Sequence, residues 1–292
     1  MSDDQIRMCP DYLVIGHVAK DVLPGGKGVT AGGTVTYSAL AAQRLGVQAA
    51  VVTSCAPEDE VLLVPLREAG VWVHSVPSPT TTTFSNTYDA SGHRLQVIGG
   101  QARQLSIEDV PEAWQSAPIV HLGPIAQELP PDLARQLLPR RLLGVTPQGW
   151  MRSWDAEGRV THSAVPVPPV LMELPKSTVL VLSIEDLDYS PELLRSYVNL
   201  APLVVVTRGV EPAYVYDHGA HAEAPALRAN VVDLTGAGDV FATALFIRYA
   251  ETKDITKAAH FAHAAAARAI EGQGTSCIAD RGTVERRMRR ET

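Results

Sequence analysis

One acidic residue and three small residues stand together where a helix is predicted to begin. The run Gly236-Ala237-Gly238-Asp239 leads into a helical pattern that starts near residue 237. The first N–H groups of a helix lack partners within it and carry the positive end of its dipole, so these bare amides favour binding of an anion such as phosphate. Asp239, in the first turn, would lie beside that phosphate and could accept the proton of an attacking hydroxyl. The pattern predicts phosphoryl transfer.

The basicity of Asp239 and a simpler interpretation of the run both bear on this prediction. A carboxylate at a helix N-terminus is expected to have a lowered pKa and to be a weak base. A loose transition state leaves little need to remove the alcohol proton early, so the position of Asp239 should matter more than its basicity. The simpler interpretation is that Gly236 and Gly238 form a tight turn and Asp239 only caps the helix. Two other phosphate-binding patterns, Gly-x-x-x-x-Gly-Lys-Ser/Thr and a Gly-x-Gly-x-x-Gly after the first strand, are absent.

A second group of polar residues follows a short apolar segment at 142–145. Gln148 and Arg152 lie just beyond that segment, at the expected carboxyl-terminal rim of a parallel sheet, where loops line clefts. We therefore predict that Gln148 and Arg152 contact the substrate. The nine histidines show no spacing typical of a metal triad, and no serine lies in a Gly-x-Ser-x-Gly elbow, which leaves acyl transfer without support.

Apolar runs of strand length alternate with helical stretches along the chain. The predicted strands lie at 12–16, 49–53, 119–122, 142–145, 179–183 and 203–207, and the clearest helices lie at 35–45, 237–249 and 255–270. Most of these strands are apolar throughout, as expected when helices cover both faces of a parallel sheet. The predicted fold class is α/β, with a central, mostly parallel sheet between two helical layers.

Residues 80–98 break this rhythm. Residues 83, 85, 87 and 89 are small or acidic polar residues, and they alternate with Phe84, Asn86 and Tyr88. A turn follows at 90–92 and the strand pattern resumes, which predicts a β-hairpin. Such strands bury little by themselves, so the hairpin is predicted to project as a flap together with the Gly- and Pro-rich stretch 21–33. A flap beside a cleft suggests a lid. We predict a single domain, residues 1–292, with lid segments at about 17–33 and 78–100.

The composition of the chain excludes several classes of protein. Its 292 residues are 46% hydrophobic and 20% charged, which excludes intrinsic disorder, and its net charge of −7 speaks against nucleic acid as a partner. No segment approaches the roughly 18 to 20 apolar residues of a membrane helix, and no export signal is evident. The three cysteines are far apart, as is typical of a reducing compartment. We expect a cytoplasmic protein with no membrane partner.

Two motifs resemble signatures of the PfkB or ribokinase family of ATP-dependent carbohydrate kinases. The run 233–239, Asp-Leu-Thr-Gly-Ala-Gly-Asp, resembles the C-terminal signature of that family. Gly32-Gly33, followed by Tyr37 and by Arg44-Leu45-Gly46, resembles its N-terminal, sugar-site signature. The match extends over nearly the whole chain. It implies a ribokinase-like three-layer α/β/α fold with a small β lid, Asp239 as the catalytic base, and an anion hole at residues 236–239.

The resemblance also implies roles for residues outside the anion hole. The implied acceptor-binding residues are Asp21, Gly32, Gly33 and Tyr37. The implied nucleotide-site residues are Ser183, Asp186, Thr207, Gly209, Thr235, His263 and Gly274. Glu185 and Asp186 take the place of an element that the family links to magnesium and phosphate. The implied cofactors are ATP and Mg²⁺, with a monovalent cation left open, and the lid implies a homodimer, because lid hairpins often mediate dimerisation in this family.

The departures from the family pattern leave the acceptor open. Tyr37 stands where a sugar-contacting Asn is usual, Pro212 replaces a glycine of the nucleotide loop, and Thr243 stands where Gly or Ala is common. The predicted function is transfer of the γ-phosphoryl group of ATP to a hydroxyl of a small sugar or cyclic polyol. A nucleoside kinase is an alternative, because Tyr37 could stack on a base, and so is a non-catalytic sugar sensor. A phosphorylated acceptor would need more basic residues than Lys27, Arg94 and Arg152.

Overall fold

The computed structural model describes residues 3–23, 25, 27–88, 94–162 and 167–291. Its strands are β1 (Tyr12–Ile15), β2 (Ala19–Val22), β3 (Val29–Gly32), β4 (Ala49–Cys55), β5 (Trp72–Pro77), β6 (Thr83–Tyr88), β7 (Arg94–Gly100), β8 (Ile119–Leu122), β9 (Leu142–Val145), β10 (Arg152–Trp154), β11 (Val160–His162), β12 (Thr178–Ser183), β13 (Leu203–Arg208), β14 (Glu211–Asp217) and β15 (Ala220–Ala224). Its α-helices are α1 (Asp3–Arg7), α2 (Thr34–Arg44), α3 (Val64–Glu68), α4 (Leu133–Gln136), α5 (Pro169–Met172), α6 (Pro191–Tyr197), α7 (Ala237–Thr252), α8 (Ile255–Ala269) and α9 (Arg281–Glu291).

The largest sheet has nine strands in the order β15-β14-β13-β12-β9-β8-β1-β4-β5. From β13 to β5 every neighbouring pair is parallel, whereas β14 and β15 are added antiparallel at one edge. The strands predicted from apolar runs are all present in this sheet, and the three predicted helices are α2, α7 and α8. The α/β class and the mostly parallel sheet are therefore confirmed.

Each face of this sheet is covered by its own hydrophobic cluster. Along β1, Tyr12 and Val14 face the cluster that contains residues of α2, α7 and α8. Leu13 and Ile15 face the opposite cluster, which contains Trp114 and residues of α4, α5 and α6. Alternate residues of one strand thus enter two different cores, which is why the strands show no polar face in the sequence. The result is three layers, with the sheet in the middle.

A second sheet of four strands, in the order β3-β2-β6-β7, is built from the two segments predicted as a lid. The predicted hairpin is the antiparallel pair β6 and β7, while its predicted turn at 90–92 lies outside the described residues. Phe84 and Ile98 of this sheet pack against Ile125 and Ala126, in the loop that follows β8. The hairpin of β10 and β11 adjoins the sheet, since the Ile98 amide donates to the Gly158 carbonyl over 2.8 Å.

Helix α7 carries the run that suggested chemistry, and it packs beside α2 and across β8, β9 and β12. Each of these two helices directly follows a glycine with a positive φ. Gly33, before α2, has φ of +84°, and Gly236, before α7, has φ of +76°. Within the described ranges, no helix combines the length and the apolar character needed to cross a bilayer.

Candidate active site

The N-termini of α2 and α7 meet at Asp239. The first residue of α2, Thr34, gives a side-chain hydrogen bond to the carboxylate of Asp239, which lies in the first turn of α7. Neither helix has a side-chain cap. The Thr36 amide donates to the Gly33 carbonyl and the Ala237 amide donates to the Leu234 carbonyl, which leaves first-turn amides such as those of Gly238 and Asp239 available to another partner. Two helix dipoles therefore direct their positive ends toward one carboxylate and the space beside it, an arrangement suited to a phosphoryl group.

The pKa of Asp239 differs from the sequence-based expectation. Burial raises the pKa of this half-buried carboxyl from its ordinary 3.8 to about 6, and the negative charge of Asp186 adds to the effect. The hydrogen bond from Thr34 and the positive charge of Arg152 offset only part of that rise in pKa. The predicted lowering of the pKa was therefore wrong, because the loss of water around the carboxylate outweighs its place at a helix end. Asp239 is a stronger base than an exposed aspartate and is ionised above about pH 6.

Tyr37 lies beneath the anion-binding turn rather than on an open wall of the site. A Cβ atom added to Gly236 would overlap Cδ1, Cγ and Cε1 of the Tyr37 ring, and only 5% of Tyr37 is exposed. Burial, with Asp233, Asp21 and Asp239 nearby, raises the pKa of the Tyr37 hydroxyl, so it stays neutral. This burial leaves too little ring surface to stack on a nucleobase, which argues against that feature of the nucleoside alternative.

Asp21 and the glycine pair of the N-terminal signature lie together. Asp21 is in β2, which pairs antiparallel with β3, and its carboxylate occupies the space that a side chain on Gly32 would need. A side chain on Gly33 would meet the backbone of His17 and Ala19. The two glycines thus permit close packing that brings Asp21 within electrostatic reach of Tyr37. The structure places these acceptor-binding candidates in one region, next to Asp239.

Arg152 lies between the second sheet and Asp239. Its guanidinium carbon is 5.6 Å from the centre of the Phe84 ring in β6, and its Nη1 donates to the Ile125 carbonyl over 3.2 Å. Its charge also lowers the pKa of Asp239, so the two side chains share one electrostatic environment. Arg152 therefore links the second sheet to the base, and its predicted contact with the substrate stays a prediction.

Gln148, the other rim residue predicted to bind substrate, contacts Asp186. Its Nε2 donates to Oδ1 of Asp186 over 3.3 Å, and Oδ2 of Asp186 accepts the Ser183 amide over 2.8 Å. Ser183 is the register partner of Thr207, so these two nucleotide-site candidates are neighbours at the ends of β12 and β13. The structure therefore groups Gln148 with Asp186 and Ser183, two of the predicted nucleotide-site residues.

The predicted magnesium ligands form a pair rather than a closed metal site. Glu185 is exposed, and Asp186 is half-buried and holds the two hydrogen bonds just described. Among the residues that the structure describes, no group of three or more His, Cys, Asp or Glu side chains could hold a metal ion. Mg²⁺ is usually held by one or two carboxylates together with phosphates and water, so this oxygen donor pair fits an ion that arrives with a phosphate substrate.

Asp233 joins two further nucleotide-site candidates, Thr235 and Gly274. Its Oδ1 accepts the amide of Thr235 over 2.9 Å and the hydroxyl of Thr235 over 2.7 Å, and its Oδ2 accepts the Gly274 amide over 2.8 Å. Burial raises the pKa of Asp233, but these hydrogen bonds outweigh it and leave the pKa below its ordinary value. Asp233 is therefore an anion that fastens the loop after α8 to the turn before α7.

Arg208 ends β13, and Gly209 lies in the turn that leads to β14. Gly209 has φ of +62° and open space where a side chain would stand. Arg208 lies 4.1 Å from the centre of the Tyr214 ring and forms an ion pair with Glu223 at 3.6 Å. The arginine is thus held against β14 and β15, while Gly209 adds no side chain to the turn.

His263 is a core residue. It is 7% exposed and packs edge-to-face on Phe241 with ring centroids 4.9 Å apart, and burial lowers its pKa to about 4. The imidazole is thus almost enclosed by protein, and its predicted contact with the nucleotide stays a prediction. The small residues around it on α8 let that helix approach α7 closely enough to enclose the imidazole ring.

Three residues near Asp239 were missed in the sequence. Thr34 follows the glycine pair and begins a helix, so its position at a helix N-terminus was a usable signal. Asp233 lies within the C-terminal signature, but its partner Gly274 is 41 residues away. Phe84 was assigned only to the alternation of a strand, and nothing local pointed to its contact with Arg152.

Comparison with known proteins gives matches over most of the chain. Residues 170–280 match the family model of the pfkB family carbohydrate kinases. A cytidine kinase from Thermococcus kodakarensis is 27% identical over 256 residues, which cover 84% of this chain and 90% of that protein. A pyrophosphate-dependent kinase of the ribokinase family, solved with a pyrophosphate analogue and myo-inositol, is 25% identical with a TM-score of 0.76, covering 94% of this chain and 99% of that one. A fructokinase from Xylella fastidiosa with bound ATP is 19% identical with a TM-score of 0.78, covering 96% and 99%.

Proposed function

We infer that this chain, a pfkB family carbohydrate kinase with the ribokinase fold, transfers the γ-phosphoryl group of ATP to one hydroxyl of a small sugar or cyclic polyol. The single observation that carries the proposal is the meeting of two uncapped helix N-termini at Asp239, a carboxyl group with a pKa of about 6. That arrangement offers a base for the acceptor and amide donors for the transferred group in one place.

In this proposal, one group of site residues binds the acceptor and another stabilises the transferred phosphoryl group. Asp21 and the amides near Gly32 and Gly33 bind hydroxyls of the acceptor and orient one of them toward Asp239. The oxygen of that hydroxyl forms a new bond to phosphorus, the bond from phosphorus to the leaving oxygen breaks, and Asp239 takes the proton. The amides of Gly238 and Asp239, with the charge of Arg152, stabilise the negative charge of the transferring group.

The donor side is formed by residues around the ends of β12 and β13. Ser183, Thr207, Gly209, Thr235 and Gly274 border the space for the nucleotide in this proposal. Glu185 and Asp186 hold Mg²⁺, which supplies charge neutralisation to the phosphates when it is bound. The ATP bound to the fructokinase of similar fold supports ATP as donor.

Pyrophosphate is a second candidate donor. The relative that is 25% identical to this chain is a pyrophosphate-dependent kinase, and His263, which is expected beside an adenine ring, is only 7% exposed. The anion-binding turn and the Glu185 and Asp186 pair serve either donor equally, because both carry a terminal phosphate. Nucleosides remain candidate acceptors on account of the cytidine kinase relative, although Tyr37 offers no stacking surface.

Product formation across a matrix of acceptors and donors tests the proposal. Sugars, inositols and nucleosides are each paired with ATP and with pyrophosphate in the presence of Mg²⁺, and the Asp239→Asn variant serves as control. We expect a phosphorylated sugar or polyol from the wild type and a loss of about 10³-fold or more in kcat in the variant. No product with any pair would favour the non-catalytic sensor, and equal turnover by the variant would refute Asp239 as base.

Location and assembly complete the proposal. We place the protein in the cytoplasm, supported by its three free cysteines, and give it no nucleic-acid partner, supported by its net charge of −7. We place a homodimer interface on the second sheet, where Val29 and Leu95 are 49% and 54% exposed. Light scattering should give twice the monomer mass, and Val29→Glu with Leu95→Glu should give the monomer mass.

A further inference from the structure

A chain of four polar side chains crosses the interior beneath Asp239. The hydroxyl of Tyr12 lies 2.8 Å from Nδ1 of His121 and donates to Oγ1 of Thr243 over 3.1 Å. On the other side of the imidazole, Nε2 of His121 lies 2.9 Å from Oγ1 of Thr146. Tyr12, His121 and Thr243 are fully buried, whereas Thr146 reaches the rim of the sheet. We call these four residues the polar chain.

The hydrogen bonds of the polar chain are mutually consistent. Because Tyr12 gives its proton to Thr243, its oxygen accepts from Nδ1 of His121, and Nε2 of His121 then accepts from the hydroxyl of Thr146. Burial lowers the pKa of His121 to about 3, so the imidazole stays neutral and the pattern does not change with pH near neutrality. Each buried side-chain polar atom of these four residues is paired, which makes the arrangement both stable and specific in geometry.

The polar chain joins three central strands to the helix that carries Asp239. Tyr12 is in β1, His121 is in β8, Thr146 directly follows β9, and Thr243 lies on α7 one turn after Asp239. Residues four apart share one face of a helix, so the bond from Tyr12 fixes the same side of α7 that presents Asp239. Hydrogen bonds constrain distance and angle more tightly than apolar contacts, which leave a helix free to slide or roll slightly.

Thr146, at the far end of the polar chain, lies near Thr34. Gly123 lies between Thr34 and Thr146, since a Cβ atom added there would overlap the methyl group of Thr34 and lie 3.4 Å from Oγ1 of Thr146. Thr34 is the residue whose side chain hydrogen-bonds Asp239. The polar chain therefore contacts the surroundings of Asp239 at two places. Thr243 lies on the same helix as Asp239, and Thr146 lies near Thr34, which hydrogen-bonds Asp239.

We propose that the polar chain is a positioning device, in which Thr243, Tyr12, His121 and Thr146 set the place of Asp239 and of the anion-binding amides relative to the acceptor. None of the four side chains needs to touch a reactant for this role. The proposal rests on the proposed function, because it concerns the same base and the same amides.

Substitutions at Thr243 test the device with little change of shape. Thr243→Val replaces the hydroxyl with a methyl group of similar size, and Thr243→Ser keeps the hydroxyl as the matched control. We expect Thr243→Val and Tyr12→Phe to lower kcat by about tenfold or more while KM for the acceptor changes by less than about threefold. Thr243→Ser should retain most of the wild-type kcat.

The split between kcat and KM separates positioning from a purely structural role. Loss of stability alone would lower the Tm of Thr243→Val and leave kcat unchanged at temperatures well below that Tm, and this result would overturn the proposal. An equal loss of kcat in Thr243→Ser would overturn it too, because the hydroxyl would not be the cause. If Tyr12→Phe fails to fold, the comparison of Thr243→Val with Thr243→Ser still tests the positioning role.

A measurement without turnover separates this proposal from the proposed function. If the wild type phosphorylates no acceptor with either donor, the function fails, and the amide resonances of residues 236–239 still report on the polar chain. Shifts of those resonances in Thr243→Val but not in Thr243→Ser support the positioning role. Unmoved resonances in both variants overturn it.

Discussion

The ring of Tyr37 occupies the space that a side chain on Gly236 would need. An added Cβ atom would overlap three ring atoms, and Gly236 also has φ of +76°, a conformation that disfavours residues with a Cβ. The glycine is therefore required twice, for the turn before α7 and for contact with the ring. The neighbouring Gly238 differs, because an added Cβ there would meet nothing within 4 Å.

This difference predicts opposite outcomes for two similar substitutions. Gly236→Ala should lower the free energy of unfolding by about 2 to 4 kcal/mol, from backbone strain and overlap with Tyr37. Gly238→Ala should leave the free energy of unfolding within about 1 kcal/mol of the wild type, since alanine is favoured over glycine in a helix. Urea unfolding measures both values. Equal destabilisation by the two variants would contradict the assignment of Tyr37 to the floor of the turn.

The elements that could be predicted from sequence are those set by local pattern. Apolar runs predicted the central strands because both faces of those strands are buried, and no alternation had to be resolved. The stretch 17–33 was assigned only to a flap, yet it contains β2 and β3. Lys20 and Asp21 gave β2 no apolar signature, because its place depends on pairing with β6, more than 60 residues away.

The part of the site that could be predicted is the part whose residues are close neighbours in the sequence. Residues 236–239 were found because their spacing alone presents amides and a carboxylate together. The pKa of Asp239, the core position of His263 and the bond from Thr34 all depend on packing between separate elements. Burial decides each of these, and burial by distant segments leaves no local pattern in a sequence.

Arg152 predicts a shift in the pH profile. Its positive charge lowers the pKa of Asp239, so removing the charge in Arg152→Gln should raise that pKa. The acid limb of kcat/KM, which lies near pH 6 in the wild type, should then move to higher pH, because Asp239 must be ionised to accept a proton. Arg152→Lys keeps the charge and should leave the limb closer to its wild-type position. A limb that stays in place in Arg152→Gln would contradict the electrostatic link.

Asp233 predicts a defect on the donor side. Asp233→Ala removes the acceptor of three hydrogen bonds and releases the loop at Gly274 from the turn at Thr235. We expect KM for the donor to rise by about tenfold or more, with a smaller change of KM for the acceptor. Asp233→Asn keeps one carbonyl oxygen, so its KM for the donor should lie between those of the wild type and of Asp233→Ala. Steady-state kinetics with each substrate varied in turn measures both constants, and a defect confined to the acceptor would contradict the assignment.

The raised pKa of Asp239 predicts that its ionised form lowers the free energy of unfolding. Its pKa is about 6 in the folded protein and near 3.8 when exposed, so the folded state binds the proton more tightly than the unfolded state. The stability contributed by the protonated carboxyl is complete below about pH 3.8 and is lost as the pH rises through about 6. Above that range the folded protein holds a half-buried carboxylate ionised for use as a base.

A neutral residue of the same shape should therefore stabilise the protein while it removes turnover. Asp239→Asn is expected to raise the free energy of unfolding at pH 8 by about 3 kcal/mol, the equivalent of about two pKa units, and to match the wild type near pH 4. Asp254, the N-cap of α8, is the control, because its hydrogen bond from the Lys257 amide lowers its pKa and its charge stabilises the fold at pH 8. Asp254→Asn should give no gain in stability. If Asp239→Asn gives no gain at pH 8 either, Asp239 is not held ionised against its burial.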